Sequence, residues 1–322
     1  MELIGNLISV REDVRVLDAT LRDGGLVNDF YFSDEFVRAL YQMNCAAGVD
    51  YMEFGYKASK QIFDPQKFGK WKFCDDADIR AVVGDNANGP KISVMADVGR
   101  CDYQQDILPA AESPIDMIRV ATYIDTIPEA ITMIEDAVNK GYEVTCNLMA
   151  VSKCQESDVK IALKLLAQSP ISAMYIVDSF GSLYPEEVRR LVAIYNEIME
   201  PAGIKLGIHA HNNQQCAFAN TIESLSVGVS YLDATVCGMG RGAGNCALEN
   251  LLGFLKNPKY QMNPALRFIE QHMLPLRAQG LKWGYDIPYM LTGLTNQHPR
   301  TAIAAIKEGD TNYTDFYQML LD

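Results

Sequence analysis

Two of the chain's four histidines stand two residues apart in Gly207-Ile208-His209-Ala210-His211-Asn212-Asn213. The run follows the apolar stretch Ile204-Lys205-Leu206, and on a β-strand residues i and i+2 share one face. Two neutral imidazoles on one face can hold one metal ion. The alternative is a pair of core histidines bonded to backbone. It leaves unexplained why the pair ends a strand, just before the amide-rich Asn212-Asn213-Gln214-Gln215.

Such a pair needs partners, and the elements must bring them. Strand-like runs occur at 14–20, 51–56, 92–96, 117–123, 143–149, 173–177, 206–210 and 231–236. Helical periodicity fills most of the gaps, as at 127–140, 157–168, 185–200 and 214–226. Ser33 is a plausible N-cap for a helix to about residue 47, with Asp34 and Glu35 in its first turn. Strand and helix in regular alternation imply parallel pairing with right-handed crossovers. Eight units predict an α/β fold, a (β/α)8 TIM barrel over about 14–257; an open doubly wound sheet is the alternative. The division expected is a barrel domain, 1–257, and a helical C-terminal extension, 258–322, with helices near 266–279 and 299–307. Residues 61–90 break the rhythm and read as a long insertion, either over the barrel mouth or as surface decoration.

A barrel carries its working residues at the C-terminal ends of its strands. The polar residues that fall there are Arg22 and Asp23 in a glycine-bounded turn, Glu53, Asp178-Ser179, and His209 with His211. The last strand runs into Cys237-Gly238-Met239-Gly240-Arg241-Gly242-Ala243-Gly244-Asn245. Its glycines suit either a backbone cradle for phosphate or a tight loop returning Asn245 over a metal; a dinucleotide fingerprint would open the first βαβ unit instead. A carboxylate, two imidazoles and an amide oxygen form a mixed N/O set without thiolate. That set suits Mg²⁺, Mn²⁺ or a catalytic Zn²⁺.

Composition narrows the partners. With 322 residues, 48% of them hydrophobic, the chain can bury a large core. A formal charge of −13 argues against sequence-independent binding to nucleic acid or anionic membrane. No apolar run is long enough to span a bilayer. Met1-Glu2-Leu3-Ile4-Gly5-Asn6 lacks the basic start and cleavage site of an export signal. Eight scattered cysteines without a CxxC pair then read as reduced thiols of a cytoplasmic protein.

Asp18-Ala19-Thr20-Leu21-Arg22-Asp23-Gly24, the HxH strand and the loop ending in Gly244-Asn245 together resemble the DRE-TIM metallolyases. That superfamily includes 3-hydroxy-3-methylglutaryl-CoA lyase, 4-hydroxy-2-oxovalerate aldolase and the isopropylmalate, homocitrate and citramalate synthases. The resemblance implies a divalent-metal-dependent lyase or aldolase acting on a small 2-oxo acid through a pyruvate-type enolate. It makes Asp23, His209 and His211 metal ligands, Asn245 a fourth, and Arg22 the group that steadies the enolate oxygen. Glu53 and Asp178 match acidic positions near the metal. A homodimer, through the barrel or the extension, follows from the same source.

The sequence departs from the family where its branches differ. The aldolases carry a catalytic histidine three residues after the metal-binding aspartate, where this chain has Leu26; the synthases carry Glu-Gln after Asp-Gly, where it has Gly25-Leu26. A lyase would need another base. His298, in Asn296-Gln297-His298-Pro299, is the leading candidate if it folds back over the mouth; a surface role is the alternative. Tyr56, Tyr123 and Tyr285 are weaker candidates. Cys237 is read as a buried small residue or a reactive thiol, and Arg119 as a partner for a substrate carboxylate or half of a structural ion pair. A Claisen-type acyl-CoA condensing enzyme and a non-catalytic metal-binding subunit are the competing functions.

Overall fold

A computed structural model describes residues 11–322; the N-terminal stretch read above for an export signal lies outside them. Eight parallel strands close in sequence order into one barrel. They are β1 (Arg15–Asp18), β2 (Tyr51–Tyr56), β3 (Lys91–Asp97), β4 (Met117–Thr122), β5 (Glu143–Leu148), β6 (Ala173–Asp178), β7 (Lys205–Ala210) and β8 (Tyr231–Ala234). β8 pairs with β1 from Arg15↔Tyr231 to Asp18↔Ala234, which shuts the cylinder. β2, β4 and β6 are buried at every residue, as expected of strands covered on one face by helices and filled on the other by the barrel interior.

Parity along each strand separates the two faces. Leu17, Tyr51, Met117, Ala173, Tyr175 and Val177 point into the barrel, where they form apolar clusters near its N-terminal end. The alternate residues, such as Val16, Met52, Ile118 and Ile176, join the large core under the outer helices. Gly207 makes room inside: a Cβ there would sit 2.5 Å from the Tyr175 ring. That ring lies 4.3 Å under the Arg119 guanidinium, a cation–π stack beneath the polar layer.

The helices fall between strands as expected at Asp34–Ala47, Ile127–Asn139, Glu156–Leu166, Pro185–Met199 and Ala217–Ser226. Ser33 caps the first of these through its side chain, which accepts from Phe36 N at 3.2 Å. Residues 61–90 differ from the expectation of a plain insertion. Their second half contains the barrel's own helix, Asp76–Val83, and Trp71 within the first half is fully buried. The loop is pinned by Gly69 N donating to Asp29 O at 2.8 Å, so it packs as core.

After residue 257 the chain is helical in two parts. Met262–Phe268, the π-turn Ile269–Met273 and Leu274–Ala278 pack Ala265, Phe268 and Met273 into the barrel's main core. Ile287–Leu294, Arg300–Glu308 and Tyr313–Leu321 build a second small core from Leu291, Ala302, Ala305, Phe316 and Leu320. This second core is tied to the barrel's C-terminal loops: Asn213 Nδ2 donates to Tyr289 O at 2.9 Å and Asn296 Nδ2 to Ser152 O at 2.9 Å.

Candidate metal centre

Arg22 and Asp23 lie on a single helical turn, Thr20–Gly24, that follows β1 directly, where the sequence reads as a polar, glycine-bounded turn. Thr20 Oγ1 accepts from Val236 N at 2.8 Å, tying this turn to the end of β8. Asp23 is 1% exposed, and its carboxylate faces the two histidines of the β7 end. Ligand atoms of Asp23, His209 and His211 lie within 4.8 Å of one another.

The outer hydrogen bonds decide which histidine nitrogen is free. His209 Nδ1 meets the Asp233 carboxylate at 3.0 Å, and His211 Nδ1 meets the Asp178 main-chain oxygen at 2.9 Å. Both partners only accept, so each Nδ1 carries the proton and each Nε2 keeps its lone pair. Both Nε2 atoms are buried without a hydrogen-bond partner, that of His211 lying 3.5 Å from Asp23 Oδ2. Burial, with Arg22 second, pushes the His209 imidazolium down against the pull of Asp233, leaving a neutral ligand.

Asn245 completes the ring. Asn245 N donates to Gly238 O at 3.0 Å and Asn212 N to Gly244 O at 2.8 Å, and a short antiparallel bridge sets Asn245 beside His211. Its Nδ2 donates to Asp23 Oδ2, while its Oδ1 is buried and unpartnered. The amides of Gly238, Met239 and Gly244 are bonded to Thr235, Val236 and Arg241 main-chain oxygens, and the loop returns Asn245 to the site. Gly240 is required by contact: a Cβ would lie 2.4 Å from Asp23 Oδ2.

Beneath the ring lies an ion network. Arg22 donates through Nε to Glu53 at 2.8 Å and through Nη1 to Asp23 at 2.7 Å. Arg119 donates to the same Glu53 oxygen at 3.0 Å and to Asp233 at 2.6 Å. Burial opposes the Asp23 charge, but Arg22 and the histidines hold its carboxyl well below the usual range. Three carboxylates thus face two guanidiniums in a buried space, one negative charge in excess. An added divalent ion reverses that sign and gives the orphaned Nε2 and Oδ1 atoms a partner. On both counts the residues fit a metal.

Several expected residues are placed differently. Asp178 sits one residue past the inward Val177, so its carboxylate turns away from the ring and accepts from Ser182 N at 3.0 Å and Leu183 N at 3.3 Å. Burial lifts its pKa to about 6. The residue serves the cluster through its main-chain oxygen. Glu53 is fully buried between Arg22 and Arg119, a support beneath the ring. Arg119 is an ion-pair residue, closed off from any substrate. Cys237 is half-buried rather than buried, and burial raises its thiol to about 11, so it stays protonated. Tyr123 and Tyr285 are each 50% exposed, and burial raises Tyr56.

His298 does fold back over the mouth. Its ring lies 5.9 Å from Phe180, and its Nε2 is 3.2 Å from Arg241 Nη1. Burial, then Arg241 and Arg300, depresses its pKa to about 4.

Three residues escaped the sequence reading. Asp233, the carboxylate behind His209, is signalled only by an acid at an inward position of β8. Arg241 lies hidden within the glycine loop. Lys72 is buried with its Nζ 4.3 Å from the Phe63 ring and 4.4 Å from Tyr56; burial lowers its pKa.

The fold and site together define a (β/α)8 barrel with a candidate metal centre at the C-terminal ends of its strands. The chain belongs to the HMGL-like family, which residues 13–272 match. It is 31% identical over 245 residues to an oxaloacetate decarboxylase of Mycobacterium tuberculosis, covering 75% of this chain and 69% of that one. It is 30% identical over 250 residues to a 4-hydroxy-2-oxovalerate aldolase of Bacillus cereus, covering 78% and 72%. Among solved structures, the N-terminal domain of a Bacteroides vulgatus protein described as a candidate aldolase superposes with a TM-score of 0.81 at 27% identity, covering 91% and 97%. The hydroxymethylglutaryl-CoA lyase of Pseudomonas aeruginosa, at 19% identity and a TM-score of 0.68 over 86% and 96%, shares the fold.

Proposed function

We propose that this protein is a divalent-metal-dependent carbon–carbon lyase of the aldolase type, acting on a small 2-oxo acid. The observation that carries this reading is the pair of buried, unpartnered Nε2 atoms of His209 and His211 converging with Asp23. Asp23, His209, His211 and Asn245 would hold the ion. Mg²⁺ or Mn²⁺ suits a set with carboxylate and amide oxygens and no thiolate, Zn²⁺ being the alternative.

When bound, the cation supplies Lewis acidity to the carboxylate and keto oxygens of the substrate. Arg22 adds a fixed positive charge where the enolate oxygen develops. Its Nε and Nη1 are held by Glu53 and Asp23, and its Nη2 lies 3.5 Å from His209 Nδ1, so the guanidinium is fixed against the ligand set. Arg119 and Glu53 keep that guanidinium from turning. With Leu26 where the aldolases have their base, His298 takes the proton from the 4-hydroxyl; its depressed pKa makes the ring neutral but weakly basic, so Arg241 Nη1, now 3.2 Å from Nε2, must turn away to free that nitrogen for the step.

Eight free thiols support a reducing, cytoplasmic setting. No helix among the described residues is long and apolar enough to cross a membrane. The exposed Leu274, Leu294, Met319 and Leu321 support self-association through the C-terminal helices as a homodimer.

The test is metal content by elemental analysis, joined to exchange of the pyruvate methyl protons in deuterated solvent. Metal-dependent exchange, abolished by EDTA and by His209→Ala, is expected. A His209→Ala protein that loses the ion and keeps its exchange rate would overturn the reading, as would release of free CoA thiol from acetyl-CoA in place of exchange.

A further inference from the structure

Arg241 stands one residue after Gly240, whose backbone packs directly on Asp23 and Asn245. Its guanidinium is half-buried and reaches two neutral groups: Nη1 meets His298 Nε2 at 3.2 Å and Nη2 donates to Ser179 O at 3.3 Å. Its Nε is buried with no partner. Among the described residues no carboxylate pairs with it. The two other arginines of the site, Arg22 and Arg119, each hold two carboxylates. In a chain of net charge −13, a withdrawn and unneutralised guanidinium at the mouth calls for an anion that the protein does not itself provide.

We infer that Arg241 anchors a second carboxylate of the substrate, so that the protein cleaves 4-hydroxy-2-oxo dicarboxylates. This rests on the aldolase reading above and narrows it. Arg241 lies between the metal-binding end of the glycine loop and His298, so a chain bound at the metal by its 2-oxo acid end extends toward it. One guanidinium matches one singly charged carboxylate, which its two Nη groups would take on exchanging the neutral His298 Nε2 and Ser179 O for the anion.

For 4-hydroxy-2-oxoglutarate the step balances without a redox partner. The 4-hydroxyl gives its proton to His298, the C3–C4 bond breaks, and its electron pair passes to the C2 oxygen as the enolate forms. C4 becomes the carbonyl of glyoxylate, and return of a proton to C3 gives pyruvate. The same anchor disfavours loss of a 4-carboxylate as CO₂. That group gives up its charge in the transition state, so a guanidinium bound to it stabilises the reactant more.

The experiment compares kcat/KM of the metal-loaded protein on 4-hydroxy-2-oxoglutarate and on 4-hydroxy-2-oxopentanoate, which lacks the second carboxylate, with pyruvate release as the readout. The wild type is expected to prefer the dicarboxylate by roughly 100-fold, and Arg241→Gln to shrink that ratio to about threefold or less. Pyruvate proton exchange by the wild type, run in parallel, reports on the aldolase reading alone; its absence sinks that reading. Exchange accompanied by equal or inverted preference in the wild type, or by a ratio unchanged in Arg241→Gln, overturns the anchor. Should Arg241→Gln fail to fold, the wild-type preference decides.

Discussion

His209 and Asp233 form a donor–acceptor pair at 3.0 Å in which the carboxylate fixes the imidazole tautomer from behind. Asp233 is itself fully withdrawn from solvent, and Arg119 and His209 keep it ionised against the burial that opposes its charge.

Asp233→Asn keeps the shape and removes the charge. Metal affinity should fall about 10- to 100-fold, the usual cost of losing a carboxylate behind a ligating histidine. Titration with Mn²⁺ by calorimetry or electron paramagnetic resonance checks it.

Arg119→Met leaves Glu53 and Asp233 facing each other in a dry space. A loss of about 3–5 kcal/mol is expected, as when one partner of a buried ion pair is removed. Urea unfolding should show it, and the deficit should be larger in EDTA than in saturating Mn²⁺, because the ion offsets the excess negative charge.

Gly240→Ala places a methyl group where Asp23 and Asn245 now touch. Displacing these ligands by even an ångström should cost about 100-fold in kcat/KM. The barrel should stay folded by circular dichroism, since the displaced atoms belong to the site.

His298 has a folded-state pKa of about 4, below the ordinary histidine value of 6.5. The folded protein therefore binds fewer protons than the unfolded chain between those values. The stabilising effect of the neutral ring is present above pH 6.5 and is lost as pH falls toward 4. Relative to His298→Gln, the wild type should lose stability on acidification through this window, and paired denaturant titrations at pH 7 and pH 4.5 read the difference.

Much of this was legible in the residues. Repeated apolar runs gave eight strands because a covered parallel sheet needs continuous hydrophobic segments, and the HxH spacing placed both imidazoles on one face. The helix Asp76–Val83 was obscured because its polar flanks, Asn86-Ala87-Asn88-Gly89-Pro90 among them, carry the composition of a loop. Asp178 was assigned to the cluster by its place at a strand end, yet parity was available: β6 turns Tyr175 and Val177 inward, which sends the next residue out. Asp233 could not be singled out, since one acid inside a short apolar strand has the same local pattern whether it meets a histidine or a stray lysine. The place of His298 was beyond local reading, because it depends on contacts such as Asn296 to Ser152, 144 residues apart.

The nucleus of Leu291, Ala302, Ala305, Phe316 and Leu320 is separate from the barrel core, yet its helices present His298 over the mouth. The candidate metal ligands and the proton acceptor proposed for them thus stand on two foundations. Evolution, or an engineer exchanging the last forty or so residues among relatives, can retune leaving-group chemistry while the cation's seat is inherited unaltered.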